Sequence, residues 1–298
     1  VNILELFQSF KTQEQAVEHL ERVRWKGRPV CPYCASAKVC RHVSGDRAGQ
    51  RWQCQDCTKA FAVTVGTLFH GTHVPLKKWF LVLALMLNAK KSASAYQIAR
   101  DLGMRRPTVW SMMHRVRFVM AGDVDQSALL HGIVEADETY VGGKPRKGNK
   151  RSSEGKAKTG RGTSKAAVMG AIERGGRVIA QPAPGGKLKF ASLTKFITKN
   201  VATDGTLLMT DEFSGYRPMK SLGYNHATIN HSFQYADGIT HTNSIEGFWS
   251  LVKRAWYGTH HHYSRKYMHL YIAEACYKFN VRNKRDDFGV TLAAMVGA

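Results

Sequence analysis

Apolar residues recur at helical spacing through the first part of the chain. Over residues 12–25 (TQEQAVEHLERVRW), Val17, Leu20 and Val23 repeat one turn apart behind Thr12, a suitable N-cap, and predict a short helix. Residues 75–90 (PLKKWFLVLALMLNAK) open on Pro75 and continue as a strongly apolar helix. Its apolar run, Trp79–Leu87, is nine residues long and the longest in the chain. A membrane-spanning helix needs about 20, so this one is expected to be buried in protein. Residues 92–120 read as two further helical segments around Leu102-Gly103-Met104. Between these stretches, residues 26–64 lack clear periodicity and hold four paired cysteines.

The texture changes near Ser127. Residues 131–141 (HGIVEADETYV) predict a strand, and 166–173 with 177–182 predict a hairpin across Arg174-Gly175-Gly176. Residues 189–200 look helical, Thr206–Thr210 reads as a buried strand stopping at Asp211, and 225–230 as another short strand. Helical patterning resumes at Asn243. Residues 142–165 carry nine Lys or Arg, one acid (Glu154) and almost nothing apolar. Loops that long are usually functional or disordered. The expected order is an N-terminal helix (1–25), a cysteine module (26–64), a helical segment (65–126) and an α/β domain (127–298). No internal repeat is visible.

Charge narrows the function. The 298 residues include 44 Lys or Arg against 22 Asp or Glu, a net charge of +22. That imbalance points to a polyanionic partner, nucleic acid first. A hydrophobic content of 43% excludes wholesale disorder. Residues 1–10 lack a basic region followed by an apolar stretch, so no signal peptide is expected. Nothing suggests a membrane protein, and the cytoplasm is the expected compartment.

Cys31-Pro-Tyr-Cys34 and Cys54-Gln-Asp-Cys57 form two C-x-x-C knuckles, and four thiolates at such spacing complete a tetrahedral structural Zn2+ site. Tyr33, Trp52 and Phe61 are the expected core of this zinc ribbon, and Cys40 is expected to be a small buried bystander. Residues 94–110 fit a helix-turn-helix: Ile98, Ala99 and Leu102 end one helix, Gly103 turns, and Pro107-Thr108 start the next. Val109, Met112, Met113 and Val116 would face inward. Arg105, Arg106 and Thr108 would then stand at the N-terminus of a DNA-recognition helix.

In a chain this poor in acids, three carboxylates at element ends stand out. Asp137 lies in the first strand of the α/β domain, Asp211 ends a later strand, and Glu246 opens a helix. Each has a plainer alternative. Asp137 has Glu135 and Glu138 beside it, any of which could be solvated. Asp211 could serve a turn, and Glu246 could complete a capping box with Asn243. Strand, hairpin, helix, strand and helix in this order fit an RNase H-like domain with a mixed sheet, in which the three converge. Clustered carboxylates repel unless divalent cations share them. Oxygen donors suit Mg2+ or Mn2+, two of which support in-line phosphoryl transfer. Lys253 lies two turns beyond Glu246, on the face that also carries Trp249, where it could hold a phosphate.

Three segments together resemble a known family: VEADETYVGGK (134–144), TDEFSGY (210–216) and HTNSIEGFWSLVKR (241–254) are similar to motifs of bacterial insertion-sequence DDE transposases of the ISXO-like group. The order of zinc ribbon, helical DNA-binding segment and RNase H-like domain is the same, over about residues 10–285. The stretch Tyr271–Arg282 resembles the family's closing helix. The resemblance implies Asp137 and Asp211 as the first two catalytic and metal-binding acids. Family members carry Glu or Asn at the third position, and this chain has both. Glu246 is the better hard-cation ligand, leaving Asn243 to cap the helix or touch the second metal. His241 is expected to be a hydrogen-bonding loop residue, and His260-His261-His262 a polar or DNA-facing loop.

The activity implied is binding of transposon ends, divalent-metal-dependent phosphodiester hydrolysis and strand transfer into target DNA. The double-stranded DNA would be gripped by Arg105, Arg106, Thr108, Lys144, Arg146, Lys147, Lys150, Arg151, Lys253 and Arg254. A homo-oligomer is implied because two ends must be synapsed, at the bacterial nucleoid. A nuclease that cuts without joining and a non-catalytic DNA-binding remnant are the alternatives.

Overall fold

The structure is a computed structural model that describes residues 2–42, 51–122, 128–143, 163–229 and 242–297. The chain folds as two units. One is built from residues 1–89, 93–123 and 283–298, the other from residues 90–92 and 124–282.

The first unit begins with α1 (Ile3–Ser9) and α2 (Gln13–Trp25). Thr12 caps α2 as the pattern predicts, accepting from the Gln15 N–H while Gln15 accepts from the Thr12 N–H, a full capping box. Three short strands follow, β1 (Val39–Arg41), β2 (Trp52–Cys54) and β3 (Ala60–Phe61), paired antiparallel in that order. Next come α3 (Leu76–Asn88), α4 (Ala95–Asp101) and α5 (Arg106–Gly122). Helix α3 buries Leu76, Trp79–Ala84, Met86 and Leu87. A helix apolar on nearly every side belongs inside protein, and α1, α2, α5 and the last helix, α9 (Asp287–Gly297), surround it. Phe288, Leu292 and Met295 of α9 are buried here, and the Met295 carbonyl accepts from the Leu68 N–H. The last helix therefore departs from the 127–298 boundary drawn on the sequence. Its apolar face belongs with α2 and α3.

The second unit centres on a five-stranded sheet in the order β6-β5-β4-β7-β8. Strands β4 (Ile133–Val141), β5 (Ala166–Glu173) and β6 (Val178–Pro182) are an antiparallel meander, with Gly175 at φ +73° turning the β5–β6 hairpin. Helix α6 (Phe190–Asn200) leads to β7 (Leu207–Asp211), which pairs parallel with β4, and β8 (Asn225–Ile229) adds parallel to β7. Helices α7 (Asn243–Arg254) and α8 (Met268–Val281) follow. This mixed, centre-out order is the RNase H-like topology.

Both faces of the sheet are covered, so β5 reads as a continuous apolar run. On one side Leu193, Phe196, Ile197, Tyr216 and Met219 pack on Val134, Ala136, Met169 and Leu208. On the other, Ile245, Phe248, Trp249, Val252 and Ile272 pack on Val141, Val168, Ile172 and Val178. Among the described residues, no helix is long and apolar enough to cross a membrane.

Candidate active site

The register of β4 against β7 brings two acids level. Ala136 lies beside Thr210, so Asp137 and Asp211 occupy the next positions of neighbouring parallel strands. Alternation along β4 turns Glu135 and Asp137 toward α7 and Glu138 toward Tyr216. The Trp249 indole Nε1 donates to Asp137 Oδ2 at 3.1 Å. That indole lies so close to the sheet that a Cβ on Gly170 would stand 2.6 Å from its ring. Gly170 is the β5 residue directly opposite Asp137. A glycine here is thus a condition for the aspartate's hydrogen bond.

Asp211 does what its plainer reading suggested and still faces the cleft. Its Oδ1 accepts from the Phe213 N–H at 3.1 Å, closing an Asx turn at the end of β7. Burial, then the charges of Glu138 and Asp211, push the Asp137 carboxyl up to about 7. Burial and the charges of Glu138, Asp137 and Asp211 push the Tyr216 hydroxyl well above its ordinary range. The two aspartates face one cleft of about 590 Å³, with Glu138, Lys165, Lys253, Trp256 and Tyr257 also on its walls. Hard carboxylate oxygens crowded together in a buried cleft are the donor set a small divalent cation takes, displacing any proton held there. Lys253 stands on the wall as expected.

The other members of the sequence-derived set are not gathered there. Glu246 and Asn243 are exposed in the first turn of α7 and do not line the cleft. Asn243 does not cap the helix: it is its first residue, and Thr242 in front makes no capping bond. No Asn243–Glu246 capping box forms either, and instead the Thr242 hydroxyl donates to Glu246 Oε1 at 3.3 Å. Arg254 is exposed at the end of α7. His241, Lys144, Arg146, Lys147, Lys150, Arg151 and most of the 142–165 loop lie outside the described residues.

Glu135 anchors α7 instead. This carboxylate is fully buried and accepts from the Ser244 N–H (2.8 Å), the Ser244 hydroxyl (3.0 Å) and the Ile245 N–H (3.1 Å). Arg174 Nε pairs with it at 2.6 Å. A strand residue thus satisfies the helix's open N–H groups. Glu138, also buried, accepts from the Tyr216 hydroxyl at 3.3 Å. Neither is the solvated strand residue that was its alternative. In the histidine run His261 and His262 are exposed, while His260 is half-buried; His260 sits on Tyr271 and His262 beside Trp256, with ring centroids 4.7 and 5.5 Å apart.

In the first unit the four cysteines converge, all sulfurs within 4.8 Å of one another. Cys31–Cys57 and Cys34–Cys54 are each separated by 3.6 Å. Four Zn–S bonds of about 2.3 Å imply S···S spacings of about 3.8 Å, so the cage fits zinc. The backbone N–H groups of Cys57 and Asp56 draw the Cys54 thiol down to about 7, with burial opposing. Two expectations fail. Cys40 is exposed on β1, outside the cage. Tyr33 is also exposed, under the Lys59 ammonium, and Trp25 of α2 replaces it against Trp52 and Phe61. Glu21 of α2 accepts from the Trp52 indole at 2.8 Å and pairs with Arg41, so α2 is part of the ribbon's support.

The helix-turn-helix forms with its expected core: Ile98, Ala99, Val109, Met112, Met113 and Val116 are buried, and Gly103 turns at φ +57°. Arg105 and Arg106 are exposed where α5 begins, and Thr108 is half-buried. Trp110 is exposed beside them, which the inward pattern did not single out.

A zinc ribbon ahead of an RNase H-like domain with paired aspartates defines the transposase class. Residues 129–280 match the ISXO2-like transposase domain and residues 11–60 the transposase zinc-ribbon domain, and the chain belongs to this ISXO2-like transposase family. The zinc-ribbon match includes α2, in keeping with the Glu21 and Trp25 contacts. The chain is 30% identical over 273 residues to an uncharacterised protein in transposable element ISH50 of Halobacterium salinarum, covering 89% of this chain and 90% of that one. Among solved structures it is similar to the Mos1 strand transfer complex (12% identity, 73% and 75% of the two chains, TM-score 0.30). It is likewise similar to the Mos1 transposase paired-end complex with left transposon end (13%, 72% and 74%, TM-score 0.31).

Proposed function

We propose that this chain binds the ends of its insertion sequence, cuts a phosphodiester there and joins the freed 3'-hydroxyl to target DNA. The observation that carries the reading is the level placement of Asp137 and Asp211 on adjacent parallel strands of one cleft that also presents Lys253. Two Mg2+ or Mn2+ ions bound by these acids would supply Lewis-acid activation of the attacking oxygen and stabilise the leaving one. Glu246 is proposed as the third acid; it shares α7 with Trp249, whose indole fixes Asp137. Lys253 holds a phosphate against the acids by charge. Glu135 keeps α7, and with it Trp249 and Lys253, seated on β4. Arg105, Arg106 and Thr108 at the start of α5 grip the DNA, aided by Arg254 and the basic 142–165 loop. The protein works as a homo-oligomer in the bacterial cytoplasm, at the nucleoid.

The test is a cleavage and joining assay on a labelled duplex bearing the terminal repeat beside the gene, with Mg2+ or Mn2+. Wild type is expected to yield joined products, and Asp211→Ala none. Cutting without joining would support the nuclease alternative, and binding with neither product a DNA-binding remnant.

A further inference from the structure

We propose that Tyr257 forms a nucleobase-stacking subsite at the mouth of the cleft, taking a base next to the phosphate that Lys253 holds. The proposal rests on the transposase reading above. Its basis is the way the chain leaves α7. After Arg254 the helix widens into a π-helical turn over Ala255–His260. Such turns are rare and concentrate at functional sites. On this turn two neighbouring aromatics part. Trp256 turns into the core at 3% exposure, and Tyr257 stays 50% exposed.

Four large hydrophobic side chains of this unit are exposed among the described residues: Leu129, Phe190, Leu222 and Tyr257. Of these, Tyr257 is the one that lines the cleft. Its ring is held in place: the hydroxyl donates to the Gly142 carbonyl at 3.3 Å, just past the end of β4. The ring therefore projects from two anchored points rather than swinging freely. Lys253 stands one helical turn before it, and Lys165 also lines the cleft. A cleft of about 590 Å³ is large enough for a nucleotide unit.

The chemistry selects the ligand. An aromatic face flanked by ammonium groups matches a nucleotide, which offers a π-face and a phosphate together. Stacking of this kind tolerates any base, because every base has a π-face. A subsite for the strand near the cut therefore adds grip without restricting sequence.

The experiment uses the full chain and a duplex oligonucleotide carrying the terminal repeat that flanks the gene. 2-Aminopurine is placed at successive nucleotides around the cut, and its emission is read with no divalent cation added. Wild type and Tyr257→Phe are expected to change the emission at one or two positions, and Tyr257→Ala at none. With Mg2+, cleavage by Tyr257→Ala is expected to fall between about 5-fold and 150-fold, while Tyr257→Phe stays within about 3-fold of wild type. An abasic nucleotide at the responding position should impose the same loss on wild type and no further loss on Tyr257→Ala. The subsite is overturned if Tyr257→Ala cuts like wild type, or if its loss adds to that of the abasic site. A wild type that cuts no DNA overturns the transposase reading instead.

Discussion

Glu135 and Asp137 sit two residues apart on one face of β4, and their surroundings give them different work. Glu135 accepts from N–H donors and pairs with Arg174, whereas burial and like charge push Asp137 up to about 7. An unfolded aspartate titrates near 3.9, so between about pH 4 and 7 the fold keeps a proton that the unfolded chain has lost. This raised pKa stabilises the fold at low pH, and the contribution is lost as pH rises through 7. In metal-free protein, Asp137→Asn is therefore expected to match wild type near pH 4 and exceed it at pH 8, measured as urea midpoints. Equal midpoints at pH 8 would mean the carboxylate is not strained. Gly170→Ala should push Trp249 off Asp137 and cost about 1–3 kcal/mol, with a change in indole fluorescence. The candidate acids were legible as residue types, since few acids compete with them in so basic a chain. The division of labour was not: it depends on a helix more than a hundred residues away and on a glycine that looks, in sequence, like any small core residue.

Most elements followed the hydrophobic pattern. The capped α2, the apolar α3 and the strands of the sheet all fall where periodicity puts them. The start of α7 was legible, but its anchor was not. Local capping rules point to Asn243, whereas the helix takes its acceptor from Glu135 on the strand beneath. Glu135→Ala would leave the half-buried Arg174 without this partner and two helix N–H groups open. A loss of about 3–5 kcal/mol in urea unfolding is expected, and a smaller one for Glu135→Gln, which keeps an acceptor. The ribbon likewise leans on α2. Removing zinc with a chelator is expected to expose residues 51–61 to protease and to loosen α2, read by limited proteolysis, because the hairpin alone has too little core to stay folded.

For the whole molecule, the net charge of +22 sets the terms on which DNA is met. If about 6–10 phosphates are neutralised, binding should weaken by roughly 10³- to 10⁵-fold between 50 and 200 mM salt. Fluorescence anisotropy across that range checks it, and a flat response would exclude a backbone-tracking surface. Domain order was legible from composition, but chain routing was not, because nothing in the apolar pattern of α9 says which surface it covers. That routing has a consequence in time. Helix α3 ends at Asn88 and the helix that helps to cover it starts at Asp287. A ribosome adding about 5–20 residues per second needs roughly 10–40 s to bridge that interval. Throughout it, the nascent chain carries an uncovered apolar surface, and a chaperone that holds unfolded segments would have a client site on α2 and α3.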